Sequence, residues 1–274
     1  MISFVKKKGN NPVYVIACLL KGLRFLAHAQ LRKFLLIPII INLLLYSIAF
    51  GLAFFYMDDV TRYLLPDWLE AISWLSWLSK LLGILFFICF FLIAFFTFTI
   101  LANLIASPFY GKLSERTLAL LIERETPEGE EVKLPEAPPE LPLMQMLYGE
   151  WLRIRYLLAW IVLLVILSLI PVLNIIAPIL WALFGAWGMA LEYFTYPLEN
   201  RGLLFPEQKK LASSVRFGAL SFGGFTVLGL MIPVVNILVS PVAVIAATIS
   251  THGISKDDEQ EQPENKTVNM KKDE

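Results

Sequence analysis

Tyr156–Leu191, YLLAWIVLLVILSLIPVLNIIAPILWALFGAWGMAL, runs for 36 residues without one Asp, Glu, Lys or Arg. Roughly 20 apolar residues suffice to cross a hydrocarbon core about 30 Å thick. Three more uncharged runs extend over Phe34–Met57, Leu81–Gly111 and Phe217–Ser255. Backbone amides and carbonyls in lipid must be satisfied within their own segment, so each run reads as helix. The short alternating segments of a membrane β-barrel are missing. Composition agrees, with 57% hydrophobic and 17% charged residues, against about 25% charged in an ordinary soluble domain. The chain reads as an all-α integral membrane protein.

The runs are unequal. Ile170-Pro171-Val172-Leu173-Asn174-Ile175 recurs as Ile232-Pro233-Val234-Val235-Asn236-Ile237, each time inside an uncharged run, with Pro178 or Pro241 close behind. Proline biases its predecessor away from helix and asparagine supports a turn. Pro171, Asn174, Pro233 and Asn236 therefore read as the tips of two helical hairpins, over 156–194 and 217–252. An arm from Tyr156 to Ile170 measures about 22 Å, short of a full crossing. Re-entrant (hemi-penetrating) hairpins are the favoured reading, and six conventional spans are the alternative. The expected architecture is two full transmembrane helices plus two Pro-tipped hairpins, with amphipathic interfacial and cytoplasmic helices.

Along the chain, residues 1–11 read as a basic flexible tail and 12–255 as a single membrane domain. Within it lie an interfacial amphipathic helix (12–30), spans at 34–57 and 81–108, and a solvated Pro- and Glu-rich linker (123–142). In the interfacial helix Val15, Leu19, Leu23 and Leu26 form the expected apolar face, opposite Lys21, Arg24 and His28. Residues 256–274 form a charged, disordered tail. The first apolar run begins too late and is too long for a cleavable signal peptide. Lys and Arg concentrate in the N-terminal segment, 111–155 and 195–216, which marks that side as cytoplasmic. With 23 basic and 23 acidic residues, net charge suggests no nucleic-acid partner; the lipid bilayer is the expected surroundings.

No catalytic pattern, metal-ligand spacing or phosphate-cradling loop is recognisable, so neither an enzyme nor a cofactor is expected. GALSFGGF reads as small residues that let helices approach closely. Anion handling has more support. Arg24, Arg32 and Lys33 gather at the break between the interfacial helix and the first span, where free helix amides and forked guanidinium donors suit an oxyanion. Basic residues beside a span also serve simply as orientation anchors. Glu115, Arg116, Glu150 and Arg153 flank the exit of one apolar run and the entry of the next, placed to line a pore vestibule or to clamp the cytoplasmic helices together.

IASPFYGKLSERTL (105–118), GEWLRIRYLL (149–158), EYFTYPLENR (192–201), LRKFLLIPIIINLLL (31–45) and above all VRFGALSFGGFTVLGLMIPVVNILVSPVAVIAAT (215–248) resemble the CysZ family of bacterial sulfate permeases. The resemblance covers about 12–251. It implies a multi-pass protein of the bacterial cell inner membrane that takes up sulfate for cysteine biosynthesis without ATP hydrolysis. Sulfite and related oxyanions are further candidate ligands, and a homo-oligomer with antiparallel protomers is implied. The family's Gly-apolar-Arg-basic sulfate motif falls on Gln30-Leu31-Arg32-Lys33, where glutamine replaces glycine. Gly22-Leu23-Arg24 is a competing match. The alternative function is a non-transporting membrane scaffold or assembly factor acting through its cytoplasmic linker and tail.

Overall fold

The computed structural model describes residues 9–64, 76–127, 130–131, 142–232, 235 and 238–253. The described residues are helices joined by turns: α1 (Pro12–Leu26), α2 (Ala29–Leu64), α3 (Ser76–Glu125), α4 (Leu143–Leu169), a 3-10 turn (Leu173–Ile175), α5 (Ala177–Glu199), α6 (Phe205–Ser214), α7 (Arg216–Leu230) and α8 (Leu238–Gly253). The chain forms two compact units, 34–109 and the remainder.

The smaller unit consists of α2 from Phe34 onward and α3 up to Phe109. The stretches 34–57 and 81–108, read as crossings, are unbroken helix throughout. α2 has 36 residues and α3 has 50, so each exceeds the length of a crossing. Leu43, Phe54 and Phe55 on α2 are exposed, as expected of a face that meets lipid or another subunit.

The larger unit is built around α5, α7 and α8. Along α8, Ala243 to Thr251 are all buried, as a helix apolar on every side should be. Two of its threonine hydroxyls return to its own backbone, Thr248 donating to the Val244 carbonyl and Thr251 to that of Ala247. α5 packs on α7 at Gly223, where a methyl group would collide with the Ala186 carbonyl oxygen. This is the close approach expected of GALSFGGF. Phe194 and Phe222 extend the contact, with ring centroids 5.1 Å apart.

α4 and α5 form the first hairpin, and polar ties run along its length. Trp181 donates to Ser168 at 3.2 Å near the tip, Trp187 donates to Tyr156 at 3.1 Å further down, and Arg153 meets Glu192 at the mouth. Proceeding to lower numbers on α4 and higher numbers on α5, these contacts follow an antiparallel pair. The helices separate at Ile170–Ile176, which contains Pro171 and Asn174, both exposed. The uncharged arm from Tyr156 is the distal part of a longer helix. α4 begins at Leu143 and has 27 residues, about 40 Å, because Glu150, Arg153 and Arg155 are good helix formers and do not end it. Met144–Leu169 and Ala177–Glu199 are each long and apolar enough to cross a membrane.

α6 and α7 meet at a 101° bend, and seven residues separate the end of α7 at Leu230 from the start of α8 at Leu238. Pro233 and Asn236 lie outside the described residues, as do 1–8, 254–274 and most of the acidic linker.

α1 ends at Leu26, earlier than position 30, and its buried stripe is Val15, Cys18, Gly22 and Leu26. Leu23 is half exposed, so the apolar face is rotated from the expected one. Packing decides this: Gly22 lies against the Val242 carbonyl and Ala246, closer than a larger residue permits. Burial pushes the Cys18 thiol above its ordinary range, against the smaller opposing effects of Tyr14 and the Lys21 charge.

Two glycine substitutions on packed helices should therefore separate. Gly223→Ala should cost about 1–3 kcal/mol through overpacking, seen as a lower Tm of the detergent-purified protein. Gly188→Ala, where an added methyl meets nothing within 4 Å, should leave Tm unchanged or raise it slightly.

Candidate functional site

The break between α1 and α2 is two residues long, Ala27 and His28. α1 closes with the Ala27 amide bonded to the Arg24 carbonyl at 3.3 Å, and the Leu31 amide bonds to the His28 carbonyl at 3.0 Å. The first turn of α2 thus begins at the break, and a helix start leaves amides without intrahelical partners. Leu31 is fully buried and anchors this turn, while Gln30, Arg32 and Lys33 are exposed beside it.

Two side-chain bonds organise the turn. Arg32 donates from Nε to the Ala27 carbonyl at 3.2 Å, which leaves the terminal guanidinium nitrogens directed away from that bond. Arg116 of α3 donates to the Gln30 side-chain oxygen. Glutamine thus occupies the first position of the motif and brings a second guanidinium to it. Gln30, Arg32, Lys33 and Arg116 form one exposed cationic surface, anchored beneath by the buried Leu31. Arg24 and Gly22 do not share it: Gly22 is packed under α8, and Arg24 lines a separate cavity with Lys21.

The four expected vestibule residues divide between two places. Arg116 joins Gln30. Arg153, with a side chain only 12% exposed, is held between Glu192 and Glu150, the latter at 3.6 Å. Glu199 lies within electrostatic reach of the same three charges, and burial pushes its carboxyl pKa up to about 7. Among the described residues no hydrogen bond or ion pair links Glu115 or Arg116 to Glu150 or Arg153. The Arg153 cluster lies where the uncharged part of the hairpin begins, and Lys209 sits 4.2 Å over the Tyr156 ring just beyond it. Glu192 is absent from the residues singled out in the sequence, because 39 positions separate it from Arg153 and no local spacing pairs them.

The described residues define an all-α membrane protein whose Arg32 and Arg116 guanidinium groups gather at a helix start. The family model described as Sulfate transporter CysZ/Etoposide-induced protein 2.4 matches residues 18–241. Similar curated proteins include the Sulfate transporter CysZ of Pseudomonas syringae pv. tomato, 39% identical over 84% of this chain and 88% of that protein. The proteins of the same name from Pseudomonas aeruginosa PAO1 and Pseudomonas fluorescens Pf0-1 are 36% and 40% identical over 84% of this chain, covering 90% and 89% of theirs. The chain belongs to the CysZ family.

The Arg153 cluster yields a direct test. Glu192→Gln should lower stability by about 1–3 kcal/mol by weakening a charge-assisted bond to a mostly buried guanidinium. Glu150→Gln, which alters the longer 3.6 Å contact, should have the smaller effect, both being read as Tm shifts in detergent.

Proposed function

We propose that this protein is a sulfate permease of the bacterial inner membrane, a multi-pass protein that admits sulfate for cysteine biosynthesis without hydrolysing ATP. The observation that carries this reading is the family match across 18–241 together with relatives named as sulfate transporters over most of their length.

Sulfate first meets the surface formed by Arg32, Lys33 and Arg116. Forked guanidinium donors and helix-start amides replace part of its hydration shell there. Gln30 takes the place of the family's glycine and carries Arg116 to the same spot. Arg153, set between Glu150 and Glu192, supplies the polar group at the mouth of the first hairpin. A path for a divalent anion through lipid must be lined by protein, and the second arms and turns of the two hairpins are the elements available to line it. Their re-entrant placement, with tips at Pro171–Asn174 and Pro233–Asn236, belongs to this proposal. So does a homo-oligomer with antiparallel protomers, supported by the apolar faces left exposed at Leu158, Val162 and Ile166 of α4. Sulfite and other tetrahedral or pyramidal oxyanions are chemically able to use the same donors.

Uptake of radiolabelled sulfate into liposomes containing the purified protein tests both levels of the proposal. The Arg32→Ala, Lys33→Ala double variant should lower initial uptake by about tenfold or more, equivalent to ~1.4 kcal/mol. Full uptake by that variant overturns the assigned site, and no uptake by the unaltered protein overturns the permease.

A further inference from the structure

A cavity of about 690 Å³ lies between α1, the last turns of α3 and the end of α8. It is separate from the Arg32 surface. Lys21, Arg24 and Arg124 line it, with Glu125 as the carboxylate in its wall. Three cations against one carboxylate leave two positive charges in excess, counting histidines as neutral. Among the described residues, none of these cations is ion-paired. Glu125 instead meets His252, Oε2 to Nε2 at 3.0 Å.

A further observation points to an anionic ligand. His28 also lines the cavity beside the cations. The Arg124 guanidinium is stacked on the Phe25 ring, 4.5 Å from its centroid. Stacking holds the guanidinium in place while its N–H edge remains available for an anion.

The size and walls of the cavity define the class of ligand. It falls within the range of about 300–1,000 Å³ typical of sites for organic molecules, far more than a bare tetrahedral ion requires. Phe25, Leu121 and Ile249 provide apolar surface beside the cations. We propose that this cavity binds an organic anion bearing a phosphate or sulfate group, with the charged group at Lys21, Arg24, Arg124 and His28 and the organic body against Phe25 and Leu121. The site draws on three helices whose relative positions the ligand would hold. It stands independently of the permease reading, because its residues are distinct from Arg32 and Lys33.

The test uses the full chain in detergent, titrated calorimetrically with adenosine 5′-monophosphate or inorganic sulfate, and the same chain in nanodiscs with and without phosphatidylglycerol, followed by thermal shift. One organic probe should bind or stabilise the protein, more tightly than inorganic sulfate binds. Its affinity or stabilisation should fall at least about tenfold in Lys21→Gln and Arg124→Gln and remain unchanged in Arg32→Ala. A response to the nucleotide identifies a soluble ester, and a response to phosphatidylglycerol alone identifies a lipid headgroup. Both substituted residues are exposed, and each variant is first checked for an unaltered Tm without ligand; Lys21→Arg should restore the response. The proposal is overturned if neither organic probe acts, if inorganic sulfate binds equally well, if both Gln variants respond like the unaltered protein, or if Arg32→Ala abolishes the response.

Discussion

Helices in lipid gain little by burying apolar surface against one another, since the acyl chains they displace are equally apolar. Association then depends on how closely backbones approach and on the polar groups that meet. In the larger unit of this protein the closest approach is α7 on α5, where Gly223 lies under the Ala186 carbonyl. The second arm of the first hairpin is thereby joined to the first arm of the next. Phe194 and Phe222 fill the space beyond, and Tyr193 reaches Ser240 of α8 at 2.9 Å. Gly22 repeats the device under Ala246, attaching α1 to α8. The cavity walls and the cationic turn both depend on that attachment, because α1 carries Lys21 and Arg24 and leads directly into the turn.

Polar groups within this framework follow two patterns. Hydroxyls on buried helix faces mostly return to the carbonyl four residues earlier, as at Ser168, Thr195, Thr226 and Thr248. Such bonds satisfy the side chain without requiring a partner helix. The contacts that cross between helices are fewer and more directional. Ser114 meets Thr248 at 2.8 Å, and the Asn200 amide donates to the Gly111 carbonyl at 2.9 Å, joining α3 to α8 and α5. Both bring the end of α3 into the larger unit, which is how Arg116 reaches Gln30 and Arg124 reaches Phe25.

The basic residues are thereby sorted into different tasks. Arg153 is largely enclosed and neutralised by carboxylates, which suits a group that holds a hairpin mouth as well as one that contacts an ion. Arg32 uses one donor on the Ala27 carbonyl at the break between α1 and α2 and keeps the others. Arg124 is stacked on an aromatic ring. A guanidinium carries five donors in a rigid plane, so one bond or one stacking contact orients it without exhausting it. Lysine lacks that property, and the organising contacts in these clusters belong mainly to arginine.

Much of the architecture was legible in the chain itself. Uncharged runs longer than a bilayer core dictate helices, because no other open structure satisfies its backbone in lipid. Pro171 and Asn174 mark a break, since proline cannot continue the ladder, and the small residues of GALSFGGF announce a close crossing. Residue type and order also placed guanidiniums near the start of α2. Tertiary structure alone decided the rest. The buried stripe of α1 runs through Cys18 and Gly22 instead of Leu19 and Leu23, because backbone proximity to α8 outweighs side-chain hydrophobicity there. The division of Arg24 from Arg32, the meeting of Arg116 with Gln30, and that of Arg153 with Glu192 join residues 8, 86 and 39 positions apart, or keep them apart. No local period encodes such pairings; they exist only once three helices have packed and their side chains share one surface.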